Sequence, residues 1–279
     1  MAMQINKSER SQLDRVFDLV MKSYDVGGIV KRVQYFFTHH EYYEIIKKNT
    51  ELKNEENINK KLYVMALGPS LKQVDINKIK GDSIVVNRFF RMKEFNPDFV
   101  PTYYMMMDDT FTDPERIGDF KLAVETYYDN GTKYFLKSKV NSIEYVKNHD
   151  QKGLYFVSDF RGNIHAEKDY DFSKPVPAFQ NVVEGAILIG IYMGYKDIVL
   201  LGCDFNSFST PKELHFYNDS GKTKPFSFAT ELTAYAVVAR CHEILQKMAE
   251  RKGVKIINST KGSLIDAYPF NIEEDLYIK

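Results

Sequence analysis

The chain has 279 residues, with 38 Lys and Arg balanced by 38 Asp and Glu, so its formal charge is zero. Hydrophobic residues make up 44% and charged residues 27%, which is too apolar for a disordered chain and enough for a full core. The even charge gives no net positive field for a phosphate backbone, which excludes a general nucleic-acid binder, and the length fits one large domain with a small appendage.

The first sixty residues stand apart. Leu13, Val16, Phe17, Leu19, Val20 and Tyr24 recur at helical spacing, and Asp25-Val26-Gly27-Gly28 breaks the run. A second amphipathic run extends from Ile29 to Ile46 and is rich in Tyr and Phe. Lys47 to Lys61 is polar, with many Lys, Asn and Glu. Residues 1–60 therefore read as an N-terminal helical hairpin and linker, and 61–279 as the main domain. The hairpin either packs on that domain or serves a partner, a membrane surface or a homo-oligomer interface. The opening residues are charged and lack the apolar core of a secretory signal. No apolar run approaches the roughly 18 residues of a spanning helix. A cytoplasmic protein is expected, with peripheral contact to the inner face of the membrane as a further option.

From Leu62 the pattern changes. Short apolar runs occur at Leu62–Ala66, Ser83–Asn87, Thr102–Met107, Lys133–Leu136, Leu154–Val157, Ile198–Leu201 and Val254–Ile257. Helical patterns lie between them at about 113–128, 138–148, 180–194 and 226–252. This alternation predicts an α/β fold of Rossmann-like type, a mostly parallel sheet with helices on both faces. A polar, aromatic stretch at about 203–225 has no period and reads as a long functional loop.

In such sheets ligands bind beyond the carboxyl ends of the strands. The first strand runs into Gly68, Pro69 and Ser70, a turn with a residue suited to close approach, a proline suited to the first helical turn and a hydroxyl. A helix starting there would offer free N–H groups to a phosphate. Asn87 and Arg88 follow the second strand, and Asp108 and Asp109 the third. Asp108 and Asp109 could offer hard oxygens to a divalent metal, although adjacent side chains on a strand point to opposite faces. Gln180, Asn181 and Glu184 precede the third helix, and Gly202, Cys203, Asp204, Phe205 and Asn206 follow the sixth strand. His215, followed by Tyr217, sits in the long loop at this edge and suits proton transfer near neutrality. Cys203 and Cys241 read as reduced core thiols.

The segment Tyr63 to Lys72 with Asp75, followed by Val86-Asn87-Arg88-Phe89, resembles the opening of the bacterial lipooligosaccharide sialyltransferases, glycosyltransferase family 42. Gly194-Tyr195-Lys196-Asp197-Ile198 with Gly202-Cys203-Asp204-Phe205 resembles their second signature. Asn96-Pro97-Asp98-Phe99 through Asp108 is also similar to a sister group, the MptE-like proteins, named for an archaeal pterin diphosphokinase. The resemblance spans about 62–270.

The sialyltransferase resemblance implies a transferase that uses a CMP-activated sugar without metal or other cofactor, in lipopolysaccharide or capsule synthesis. The acceptor would be a hydroxyl of a glycan or lipid-linked glycan. Gly68, Pro69 and Ser70 would hold the nucleotide, with Asn87, Asp108, Gly202 and Asp204 around the donor. His215 falls at the position of the general base, and Tyr217, or another Tyr of that loop, would donate a hydrogen bond to the phosphate. Three departures stand out. Leu67 replaces an Asn of the glycine-rich turn, Asn206 a phosphate-contacting Tyr, and Asn181 a sugar-contacting Arg. These leave two alternatives open: an ATP- and Mg²⁺-dependent diphosphokinase of MptE type, or an inactive nucleotide-sugar-binding scaffold.

Overall fold

The computed structural model describes residues 37, 40–108, 117–148, 151–209, 215–218 and 227–278. Seven apolar runs become one sheet: β1 (Lys61–Met65), β2 (Asp82–Val86), β3 (Tyr103–Met106), β4 (Lys133–Lys137), β5 (Leu154–Val157), β8 (Asp197–Leu201) and β9 (Lys255–Asn258). Their order is β5-β4-β3-β2-β1-β8-β9, and every pairing is parallel. A separate parallel pair, β6 (Asp159–Phe160) and β7 (Val176–Pro177), has no clear signal in the sequence.

Each strand is apolar on both faces because both are covered. Leu62, Val64, Ile84, Val86, Tyr103 and Met105 face one core, built with α4 (Val182–Met193) and α5 (Phe228–Arg251). Tyr63, Met65, Val85, Tyr104 and Met106 face the other, built with α2 (Ile117–Tyr127). The Asn181 side chain caps α4 by accepting the Glu184 N–H, and Gly194 closes it in the left-handed region at φ 101°.

Two expected helices take another form. Over 138–148 the chain makes a 3-10 turn, Ser138–Ser142, and a single α turn, α3 (Glu144–Lys147), separated by extended Ile143. Ser, Asn and β-branched residues there favour local turns over a continuous helix. After β1 comes only a 3-10 turn, Pro69–Gln73, stopped by extended Val74, which bridges antiparallel to Tyr277.

The first predicted helix and most of the second lie outside the described residues. Apart from Phe37, what is described begins with α1 (His40–Ile46) and continues through two 3-10 turns, Lys47–Leu52 and Glu55–Asn59. The polar stretch expected to be a linker lies against the sheet domain. Buried Asn49 donates to the carbonyls of Phe156 and Phe172, both at 2.7 Å, and buried Asn57 donates to that of Met193 at 3.0 Å. These amide N–H groups cap backbone carbonyls at the sheet edge and helix end, while the Asn49 side-chain oxygen is buried without a partner among the described residues. No described helix is long and apolar enough to cross a membrane.

Candidate active site at the crossover of the sheet

The chain runs outward from β1 to β5 and then returns to the other side of β1 with β8. Crevices for ligands form at such a reversal, beyond the carboxyl ends of the two strands. Here those ends carry Gly68 and Gly202. The Gly68 N–H donates to the Gly202 carbonyl at 2.9 Å, and Gly202 adopts φ 65°. Asp204 completes the link. One carboxylate oxygen accepts the Ser70 N–H at 3.1 Å and the other accepts the Ser70 hydroxyl at 2.7 Å. Burial raises the Asp204 carboxyl above its ordinary value, against the pull of these bonds.

This use of Ser70 changes the reading of the turn. Gly68 N–H is on Gly202, Ser70 N–H on Asp204, Leu71 N–H on the Gly68 carbonyl at 3.1 Å, and Pro69 has none. The expected cradle of free N–H groups is therefore absent from residues 68–71. The turn shapes the crevice, and its donors are spent on the fold.

A cavity of about 290 Å³ opens over the crossing and is lined by Gly68, Asn87, Asn181, Gly202, Asp204, Asn206 and His215, with Leu67, Phe205, Ser207, Tyr235 and Ile265 among its other walls. A second, of about 310 Å³, is lined by Asn87, Asn181 and Val182 together with Met107, Asp108, Lys137, Asp159, Phe179 and Gln180. The two thus share Asn87, Asn181 and Val182. Pro69, Ser70 and Tyr217 line neither, and Asp108 lines only the second.

Backbone strain is concentrated at the first cavity. Among the described residues, the non-glycine positions with positive φ are Asn87 at 45° and Phe205 at 57°, and both line it. Such conformations persist only where the surroundings impose them. At Asn87 the cause is visible. The Asn87 N–H donates to the Met105 carbonyl at 2.9 Å, and the Asn87 carbonyl accepts the Tyr104 hydroxyl at 2.6 Å. That hydroxyl also accepts the Phe90 N–H at 2.9 Å, and Tyr104 is wholly buried. The Asn87 side-chain oxygen is buried without a hydrogen-bond partner among the described residues. It is an acceptor waiting for a donor, at the junction of both cavities.

His215 is held from its neighbours. Its ring stacks on Tyr217, centroids 5.0 Å apart and planes 4° apart. Phe216 is fully buried against Phe89, and its N–H donates to the Leu67 carbonyl at 2.7 Å. Tyr217 is engaged by Arg88, whose guanidinium also pairs with Asp119 at 2.6 Å. Burial works against the Arg88 charge, but Asp119 and Tyr217 together outweigh it and the proton is held more firmly than usual. Tyr217 thus anchors the loop.

Two groups near the crevice were missed as site features. Lys137 pairs with Asp159 at 3.0 Å, with both side chains mostly buried on the wall of the second cavity. Lys137 ends β4, so the search beyond each strand end reaches it; Asp159 has no such signal. Among the described residues no cluster of three or more His, Cys, Asp or Glu is placed to hold a metal ion, and Asp109 lies outside them.

Glu184, in the first turn of α4, is buried, and one carboxylate oxygen accepts the Gln180 N–H at 2.9 Å while the other has no partner among the described residues. Burial pushes its pKa from 4.5 up to about 8. The folded state thus binds the proton more tightly than the unfolded one, so stability is full below about pH 4.5 and falls as pH rises toward 8. Fully buried His242 has the opposite sign, pushed down to about 3, so its share is lost as pH falls below 6.5. The expected outcome is a stability plateau between the two flanks. Glu184→Gln should remove the alkaline decline, on the order of 2 kcal/mol between pH 6.5 and 8. Urea unfolding across that range checks this; an unchanged slope in the variant would contradict it.

No protein-family model matches the chain, and no curated protein matches it by sequence. Solved structures do. The monofunctional α-2,3-sialyltransferase Cst-I of Campylobacter jejuni is 15% identical, with a TM-score of 0.50 over 81% of this chain and 84% of that one. The sialyltransferase CstII of the same organism, solved with the substrate analogue CMP-3FNeuAc, is 13% identical, with a TM-score of 0.48 over 79% and 89%. At this identity the likeness to Cst-I shows a shared fold. The α/β class expected from the strand and helix pattern is the class observed.

Proposed function

We propose that this chain is a glycosyltransferase of surface-glycan synthesis that takes a sugar from a CMP-activated donor and transfers it to a glycan hydroxyl. The observation that carries the reading is the placement of His215 in one cavity with Asn87 and Asn181, over the crossing of Gly68 and Gly202. The signature-like segments and the fold shared with Cst-I support it.

In this reading the nucleotide lies over the crossing and the sugar reaches past Asn87 into the second cavity. His215 takes the proton of the acceptor hydroxyl as the new glycosidic bond forms and the bond to the departing CMP breaks. Because the turn at 68–71 has no N–H to spare, charge on the departing phosphate is met by side-chain amides, Asn87, Asn181 and Asn206. Tyr217 holds His215 in place through the ring stack. The N-terminal hairpin remains, in this proposal, the element for membrane or self-association. The diphosphokinase alternative keeps one foothold, the strand-end Asp108.

Thermal unfolding with CMP, UDP, GDP and ATP, each with and without Mg²⁺, tests the reading. CMP is expected to raise the transition without metal, as any ligand of the native state does. A rise with ATP and Mg²⁺ alone would move the assignment to the diphosphokinase. No rise with any nucleotide would leave the scaffold.

A further inference from the structure

The Asn87 carbonyl and the Phe90 N–H are three residues apart, the pair that an ordinary tight turn joins directly. Here the Tyr104 hydroxyl is spliced between them, donating to the carbonyl at 2.6 Å and accepting the N–H at 2.9 Å. Burial raises the Tyr104 phenol well above its ordinary value, so the hydroxyl keeps the proton it donates. The turn is thereby held open by the width of one oxygen atom. Each of its residues has a task at the site. Asn87 stands at the junction of the two cavities. Arg88 engages Tyr217, and Phe89 packs against Phe216 with ring centroids 5.9 Å apart. Phe90 binds the hydroxyl. Phe216 and Tyr217 directly follow His215, which lines the first cavity. One buried hydroxyl on β3 therefore bears on both sides of the crevice.

We infer that Tyr104 is a positioning residue for the proposed reaction: by holding the turn 87–90 open, it sets Asn87 and the His215 segment relative to each other. Without the hydroxyl, the Asn87 carbonyl and the Phe90 N–H would lose their shared partner, and the turn would close to join them directly. Closure would carry the Asn87 amide off the junction of the cavities and draw Phe89 away from Phe216. The functional part of this inference rests on the transferase reading, and the mechanical part does not.

The test compares Tyr104→Phe with Tyr134→Phe. Tyr134 is equally buried and stacks on Tyr104 with centroids 5.3 Å apart, but its hydroxyl donates to the Ala123 and Val124 carbonyls of α2, at 2.9 and 3.1 Å. Each variant loses one buried hydroxyl, so each is measured equally far below its own unfolding midpoint. Hydrogen exchange of the Phe216 amide, whose acceptor Leu67 neither variant touches, is expected to quicken about tenfold in Tyr104→Phe and to keep the parent rate in Tyr134→Phe. Titration with CMP should show affinity about fivefold or more weaker in Tyr104→Phe and unchanged in Tyr134→Phe. That loss should vanish in an Asn87→Gly background, where glycine keeps the positive φ and offers no amide. Unchanged Phe216 exchange, equal effects of the two variants, or a loss of CMP affinity that persists in Asn87→Gly would overturn the inference, while CMP binding to the parent left the transferase reading standing. A parent protein that binds no CMP would overturn the transferase reading and the functional part with it, and Phe216 exchange would then decide the mechanical part alone.

Discussion

His215→Ala is expected to lower turnover of a CMP-sugar by about 10²–10⁴-fold while CMP affinity stays nearly unchanged. The split follows from the proposed role. In that role His215 would touch the acceptor hydroxyl, while the nucleotide would be held by the crossing and the amides around it. The loop itself should stay in place, because Phe216 remains buried on Phe89 and its N–H remains on Leu67. Added imidazole should restore part of the rate to His215→Ala if the missing function is proton transfer. Retained turnover in a folded His215→Ala protein would remove His215 as the base. A parallel loss of CMP binding would instead make it a donor contact.

Gly68→Ala has the largest structural effect expected. A Cβ at Gly68 would lie 1.9 Å from an Asp204 carboxylate oxygen and 2.5 Å from the Gly202 carbonyl. Neither neighbour can yield cheaply. Asp204 is short and bonded through both oxygens to Ser70, and Gly202 is backbone. Relief would require breaking the Asp204 link, leaving a buried Ser70 N–H without an acceptor. Overpacking and the lost bond together cost about 3–5 kcal/mol, or a fall in Tm on the order of 10 °C. In an Asp204→Ala background the same substitution should cost less, though not nothing, since the Asp204 atoms are gone while the Gly202 carbonyl stays 2.5 Å from the Cβ. Additive costs in that double-variant cycle would show that Gly68 and Asp204 are not in contact.

Much of the fold was legible because parallel strands buried on both faces leave unmistakable apolar runs. All seven strands of the main sheet fall within a residue or so of the runs that predicted them. The turn after β1 was legible as a turn and illegible in its hydrogen bonds. Ser70 looked like a ligand for an anion, and it is spent on Asp204, a residue 134 positions away. Tyr104 gave no sign of its task either, since one buried tyrosine among many looks like core. The linker reading failed for a related reason. Asn49 and Asn57 look solvated in a list of residues, yet both are buried and donate to backbone carbonyls distant in sequence. Lys137 was reachable from the sequence, and Asp159 was not, because it pairs across a short sheet with no periodic signal.

The belt of residues 40–60 also sets where the molecule can be cut. A shortened chain beginning at β1 would seem natural from composition, since it discards only a polar stretch. It would also unseat Ile46 and Leu52 from the two faces of the sheet and expose the carbonyls of Phe156, Phe172 and Met193 that Asn49 and Asn57 now occupy. For expression, labelling or fusion at the amino end, the working boundary therefore falls ahead of His40, some twenty residues before the first strand.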